Sequence, residues 1–295
     1  MKRRICATFM LLSLVIASLA GCGKKDLYQE AMSKANNAKS LEAKATMDLE
    51  MKMTIMEQEQ SVSMKMDMDM TAFNDPLKMK INANVNAAGQ STKMATYLAK
   101  EGDKYMSYVQ ANGAWMKTAV CDADDIETAK KSSGMFEGSD FMLAKDKVKA
   151  GEDVEENGKT YKTFTGTMTK EMMKKAMESS SGITNGSVDE ETLSKAMEGV
   201  KDLPYTIWLD PEEQTLYRVK FSMADMMDSI MGSVMKTQME KSVGQAGANS
   251  EKVQEMLKNM KIEISKCDMD IVYTNYDEAE DFDIPAEALK AKETK

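Results

Sequence analysis

Histidine is absent from the 295-residue sequence. It is the usual general base beside a serine or cysteine nucleophile and the commonest zinc ligand. Its absence excludes Ser-His and Cys-His catalysis and removes the usual zinc ligand. The 48 acidic side chains could supply an acid–base pair, but most of them occupy the polar positions of alternating segments, which is typical of a solvated face. We therefore predict no catalytic residue, metal site or cofactor, and expect that the protein is not an enzyme.

Cysteine is also scarce, with four residues in the chain. Two of them, Cys6 and Cys22, fall in an N-terminal signal described below, which leaves Cys121 and Cys267. One pair in a chain of this length is not a disulfide framework. Two interpretations stay open, a bridge between Cys121 and Cys267 or two small buried hydrophobic side chains.

The N-terminus has the pattern of a bacterial lipoprotein signal. Three basic residues at positions 2–4 precede an apolar run over 5–19, which ends in L-A-G-C at 19–22. The run is shorter than the roughly 20 residues of a membrane-spanning helix and is typical of a signal peptide. L-A-G-C matches the lipobox, in which the cysteine is lipidated and becomes the first mature residue. We predict a signal peptide over residues 1–21 and lipidation of Cys22.

Lipidation would fix both the location and the partners of the mature chain. Each buried methylene contributes about 0.8 kcal/mol, so two acyl chains on Cys22 anchor the protein stably to the extracytoplasmic face of the cell membrane. Removal of residues 1–21 takes away three of the 39 basic side chains and leaves 36 against 48 acidic ones, a net charge of −12. Such a chain repels nucleic acid. Its acidic surface could instead dock a cell-envelope protein.

Methionine is abundant, with 31 residues, and follows a strict alternation. Residues 61–73 read S-V-S-M-K-M-D-M-D-M-T-A-F, in which polar residues separate four methionines. The same period of two occurs over 46–55 and 77–85. Successive alternating runs joined by short turns predict an antiparallel meander with one apolar and one polar face.

Further strands and several helices follow from the same reasoning. The Asn157–Gly158 dipeptide is a strong hairpin signal. A change of apolar parity in the last strand predicts a bulge near Ser265. We predict short helices over 170–178 and 189–199 and a longer one over 224–242. The additional strands are expected at 91–100, 104–110, 114–120, 147–155, 159–167, 203–210, 215–223 and about 261–276.

The methionine pattern itself has three interpretations. Methionine can fill gaps in an ordinary core, as a flexible substitute for leucine. The same flexibility suits a concave face that repacks around acyl chains of different shape. Thioethers also bind Cu(I), although no histidine is present to assist.

Several segments together resemble lipoproteins of Gram-positive bacteria that are similar to the LolA and LppX/LprG lipid-carrier superfamily. They are the lipobox, the alternating methionine strands, K-Y-M-S-Y-V-Q-A-N-G-A-W-M-K over 104–117, the hairpin over 205–223 and the closing Y-D-E-A-E-D-F-D-I-P-A-E-A-L over 276–289. The resemblance implies an α+β fold, a strongly curved antiparallel sheet or half-open β-barrel with helices across its concave face. It also implies an apolar cavity that holds a lipid or an acyl chain.

These observations lead to one functional hypothesis and one rival. The hypothesis is a membrane-anchored protein with a tether at 22–25, a single domain over 26–290 and a tail at 291–295, which binds lipid in a methionine-lined cavity. The rival is a scaffold lipoprotein with a filled core. Trp208 is expected outside the cavity, because its strand position is opposite in parity to the apolar residues around it. The predicted lining residues are Met51, Met53, Met64, Met66, Met68, Met70, Met79, Met226, Ile230 and Met231.

Overall fold

A computed structural model describes residues 27–55, 58–124, 148–173, 197, 199–232 and 261–293. The predicted signal peptide, Cys22 and its tether lie outside the described residues. So do most of the predicted helix over 189–199 and the C-terminal parts of the helices predicted from 170 and 224.

The described part of the chain forms one antiparallel sheet of twelve strands. Their order is β6-β5-β4-β3-β2-β1-β12-β11-β10-β9-β7, and β8 pairs with β9. The sheet is open because β6 and β7 stand at opposite ends of this order. The predicted fold class is confirmed. The strands are β1 Ser40–Ile55, β2 Gln58–Asn74, β3 Leu77–Ala87, β4 Gln90–Glu101, β5 Lys104–Ala111, β6 Ala114–Asp122, β7 Lys149–Ala150, β8 Val154–Glu156, β9 Lys159–Met168, β10 Leu203–Asp210, β11 Thr215–Ser222 and β12 Lys261–Thr274.

The pairing of the first strand with the last one brings distant parts of the sequence together. β1 lies between β2 and β12, with Met47 opposite both Met66 and Met269. Alternation then gives the whole sheet two faces. We call the side that carries Met47, Met66 and Met269 the methionine face, and the opposite side the polar face.

Irregular pairing bends the sheet at defined points. On β1, Glu50 pairs with Lys266 and Met51 pairs with Ile264, so no residue of β1 stands opposite Ser265 in the register. The predicted bulge near Ser265 is confirmed. Further register shifts occur at Tyr105/Met106 and at Trp208/Leu209. Because bulges bend strands and increase their twist, these three positions curve the sheet.

Helices pack on the methionine face over the β9–β12 half of the sheet. Helix α1, residues 27–37, buries Tyr28, Ala31 and Met32 against this face. Spacing of three and four residues puts these side chains on one side of the helix. Helix α2 comprises residues 170–173, and helix α3 comprises residues 224–232. The sheet side chains that form one buried cluster with α1 are Phe164, Tyr205, Ile207, Leu209, Leu216 and Val219.

The C-terminal segment packs on the polar face at the other half of the sheet. Phe282 lies 6.0 Å from Phe73 and 5.8 Å from Tyr97, measured between ring centroids. The short helix α4, Ala286–Leu289, follows and buries Ala288 completely. This segment therefore covers the polar face of β4 and β5 and does not extend over the polar face of β9–β12.

The hairpin predicted at Asn157–Gly158 is confirmed. Both residues have positive φ, 54° and 79°, as a two-residue turn of type I′ requires. The single strand predicted over 147–155 is wrong in detail. Two short strands, β7 and β8, replace it, and the backbone N–H of Gly151 between them donates to the carbonyl of Thr163.

The bridge considered between Cys121 and Cys267 is not formed. Cys267 is a free cysteine, 1% exposed, on β12. Cys121 belongs to β6, and five strands separate β6 from β12 in the sheet. Neighbouring strands lie about 4.8 Å apart, whereas the Cα atoms of a disulfide lie within about 7 Å. The interpretation of Cys267 as a small buried hydrophobe is the correct one.

Candidate functional site: the methionine face

Four methionines of β2 lie side by side with apolar residues of both neighbouring strands. Met66 stands between Met47 on β1 and Val85 on β3, and Met68 stands between Ala45 and Ala83. Met64 and Met70 extend the row in both directions. Residues of one face recur about every 6.8 Å along a strand, so the methionines form a continuous stripe across the centre of the sheet.

The other predicted lining residues on strands also lie on the methionine face. Met51 pairs with Val62, and Met53 pairs with Gln60, at the end of the β1–β2 hairpin. Met79 pairs with Ala72 on β2 and Leu98 on β4. The structure therefore brings all seven predicted strand methionines to one surface.

The three helical positions lie on α3. Met226 and Ile230 pack against a buried cluster that contains Val200 and Leu203, and Met231 is half-buried. Helix α3 is joined to β12 at its start, where the backbone N–H of Met223 donates to the carbonyl of Cys267 at 2.7 Å. The predicted helical positions are thus beside the stripe, next to the strand that pairs with β1.

The register adds three methionines that the predicted set omits. Met47, Met94 and Met269 have the same parity as their neighbours in the stripe. The sequence signal that could have found them is the alternation of apolar and polar residues within β1, β4 and β12. Which strands adjoin, and hence that Met269 lies next to Met47, follows only from the pairing of the two ends of the chain.

The stripe is half-buried, in contrast to the clusters on either side of it. Each strand methionine named above is intermediate in exposure. Fully buried clusters form beneath α1 and around Leu77 and Tyr105 near the other edge. Among the described residues, the methionine face of β12, β1, β2 and β3 carries no charged side chain. Burial raises the pKa of the Cys267 thiol on this face, so the thiol stays neutral as well.

Trp208 lies on the polar face, as the sequence predicted. Its ring is 5.4 Å from the Arg218 guanidinium carbon and 5.1 Å from Lys220 Nζ. Arg218 binds Asp270 through two hydrogen bonds of 2.7 Å and Glu156 through bonds of 2.8 and 2.9 Å. Burial alone would raise the pKa of Asp270, but the hydrogen bonds and charges of Arg218 and Lys220 outweigh it and hold that pKa below its usual value.

Two classes of site do not occur in the described part of the chain. It contains no group of three or more His, Cys, Asp or Glu side chains placed to hold a metal ion. None of the helices within the described ranges is long and apolar enough to cross a membrane.

Comparison with solved structures identifies bacterial lipoproteins. The Mycobacterium tuberculosis lipoprotein LppX aligns at 12% identity and a TM-score of 0.40, covering 88% of this chain and 97% of that one. LprF from Mycobacterium bovis aligns at 13% identity and a TM-score of 0.40, covering 89% and 96%. A structure described as an outer membrane lipoprotein-sorting protein domain, from Vibrio parahaemolyticus, aligns at 14% identity and a TM-score of 0.21, covering 67% of this chain and 70% of that one.

The comparison with curated proteins gives no match. A family model matches residues 23–242, which is most of the chain. The protein therefore belongs to the family of unknown function DUF6612.

Proposed function

We propose that the protein is a membrane-anchored extracytoplasmic lipoprotein that binds a lipid, or another apolar ligand, against its methionine face. In this proposal residues 1–21 are removed and the acylated Cys22 holds one domain, residues 26–290, close to the membrane. The ten predicted lining residues contact the ligand together with Met47, Met94 and Met269.

The half-buried, uncharged methionine stripe at the centre of the sheet supports this proposal. An ordinary core would place its largest apolar side chains at its most buried positions, as occurs beneath α1, where Ile207 and Leu209 are inaccessible. The stripe instead keeps long apolar side chains partly accessible. Methionine has three rotatable bonds and a polarisable sulfur, and can therefore adapt to acyl chains of different length and curvature.

The energetics of such binding require no charged anchor. Each methylene transferred from water to an apolar surface contributes about 0.8 kcal/mol. A chain of about twelve carbons would gain about 10 kcal/mol, which exceeds the lower estimates of the cost of association. Affinity would therefore depend on acyl chain length.

Native mass spectrometry of the chain without residues 1–21 and with Cys22→Ser tests the proposal. We expect co-purified lipid, or stoichiometric uptake of added palmitate or dioleoylglycerol. Met66→Asp should abolish uptake, because a carboxylate would have to be buried beside the acyl chain. Lys65→Asp is the matched control. It introduces the same carboxylate at the neighbouring position of β2, where the side chain is exposed on the polar face, and should leave uptake unchanged.

The rival function predicts different results. A scaffold with a filled interior would show the protein mass alone and no uptake, and Met66→Asp would chiefly lower the free energy of unfolding. Uptake of Cu(I), measured on the same samples, would favour a metal-handling role for the thioethers.

A further inference from the structure

A second candidate site lies on the polar face, on the opposite side of the sheet from the helices. It is a groove of about 680 Å³ over strands β1, β12, β11, β10 and β9. This volume is within the usual range of small-molecule sites. Nine of its fourteen lining residues are charged residues or threonines, and Gly166, Pro204, Tyr205, Phe221 and Met269 complete the lining. The nine are Thr46, Asp48, Lys149, Thr165, Thr167, Thr206, Lys220, Asp268 and Asp270.

The strand register aligns these groups in one row. Thr165 pairs with Thr206, and Thr206 pairs with Lys220. Lys220 pairs with Asp270, which in turn pairs with Thr46. With neighbouring strands about 4.8 Å apart, the row spans about 19 Å. Hydroxyl groups, which both donate and accept hydrogen bonds, therefore stand at both ends of an ion pair.

The charges of the groove are largely neutralised by one another. Asp270 is bound by Arg218 and lies 3.3 Å from Lys220 Nζ, and Asp48 lies 3.5 Å from Lys266 Nζ. The two remaining lining charges, Asp268 and Lys149, are of opposite sign. An ionic ligand would have to disrupt these ion pairs. An uncharged ligand with many hydroxyl groups could form hydrogen bonds to the paired side chains without separating them.

Two features hold the row in place. The ring of Trp208 lies beneath both Arg218 and Lys220, which restricts the movement of these long side chains. The C-terminal segment packs over β4 and β5 through Phe282 and Ala288, away from the groove strands. The polar groups of the groove are thus ordered by the sheet without being covered by that segment.

We propose that this groove binds an uncharged polyhydroxylated ligand, a short neutral glycan. The threonine hydroxyls and the paired carboxylates exchange hydrogen bonds with the sugar hydroxyls, and the length of the row accommodates an extended chain of a few rings. The site lies on the opposite face of the sheet from the methionine stripe, and glycan binding does not depend on lipid binding.

Saturation-transfer NMR on the mature lipoprotein in nanodiscs tests this proposal, with empty nanodiscs as background. The probes are maltotriose, cellotriose and chitotriose, with trigalacturonate as a charged competitor of similar size. We expect saturable binding of at least one neutral trisaccharide and weaker binding of trigalacturonate. Removal of hydroxyl groups in Thr165→Val/Thr206→Val should raise the Kd about ten-fold or more. Thr71→Val, the same change on the polar face outside the groove, should leave it unchanged.

Asp268→Ala provides a second test that does not alter the threonines. It should also raise the Kd, because an exposed carboxylate acceptor is lost while the ion pairs remain. The proposal is overturned if no neutral trisaccharide binds, if trigalacturonate binds more tightly, or if Thr71→Val weakens binding as much as the groove variants. Palmitate uptake, measured in parallel, should be the same in all these variants, so that failure of glycan binding and failure of lipid binding are read separately.

Discussion

The backbone N–H of Ile264 donates a hydrogen bond of 2.9 Å to Oδ1 of Asp228 in helix α3. Pairing between β11 and β12 extends only to Ser222 and Asp268, so no strand of the described residues lies beside the N-terminal half of β12 on that side. Helix α3 lies along this half instead. An unpaired backbone N–H at the buried Ile264 would be costly, and the carboxylate of Asp228 removes that cost.

Asp228→Ala should therefore lower the free energy of unfolding by about 1–3 kcal/mol, since it leaves the Ile264 N–H without its partner. Urea unfolding followed by circular dichroism measures this loss. Asp225→Ala is the matched control on the same helix, because its ion pair with Lys201 is exposed and should contribute about 0–1 kcal/mol. Equal effects of the two substitutions would contradict a specific role for Asp228.

Arg218 should make stability depend on pH through Asp270. The folded-state pKa of Asp270 is below its usual value, so its stabilising contribution is present above the unfolded-state pKa of about 4 and is lost as the pH falls through the folded-state pKa. Arg218→Gln should lower the free energy of unfolding at pH 7 by about 2 kcal/mol, because two half-buried carboxylates lose their partner. It should also flatten the loss of stability as the pH falls below the unfolded-state pKa of about 4, because Asp270 loses the hydrogen bonds from Arg218 that lower its folded-state pKa. Urea unfolding across this range measures both effects, and parallel curves for the two proteins would refute the prediction.

Gly166 and Tyr205 are packed so closely that a side chain cannot be added. A Cβ at Gly166 would lie 2.2 Å from Cζ and Oη of Tyr205, whose side chain is 4% exposed. Gly166→Ala should destabilise the protein by about 1–3 kcal/mol through overpacking. In a double-mutant cycle, Tyr205→Leu should recover part of that loss, because it removes the ring that the new methyl group meets. Strict additivity in thermal or urea unfolding would show that the contact is not the cause.

Cys121 and Cys267 should be free thiols. Denaturation without a reductant, followed by iodoacetamide and mass spectrometry of the Cys22→Ser chain, should add two adducts, on Cys121 and Cys267. In the native protein, Cys267 should react slowly, because it is 1% exposed and burial raises the pKa of its thiol. A mass without adducts would mean that the two residues are bridged after all.

Much of the sheet was predictable because a strand with one apolar face has a period of two. The alternation from Val62 to Met70 specified a strand and its two faces, and Asn157–Gly158 specified a hairpin. The bulge at Ser265 was visible as a change of parity within β12. Local signals failed over 147–155, where the break into β7 and β8 depends on hydrogen bonds to β9. They left two interpretations open for Cys121 and Cys267, because the distance between these residues depends on the strand order.

The sequence by itself determined that methionines line one face of the sheet, because parity is a property of each strand alone. It also determined that Trp208 lies on the other face. Only the tertiary structure decided that β1 pairs with β12, which places Met47 beside Met269 and brings Thr46 into line with Asp270 and Lys220. The reason is physical: alternation fixes which way a side chain points, whereas neighbours across strands are chosen by long-range pairing, which no local pattern encodes.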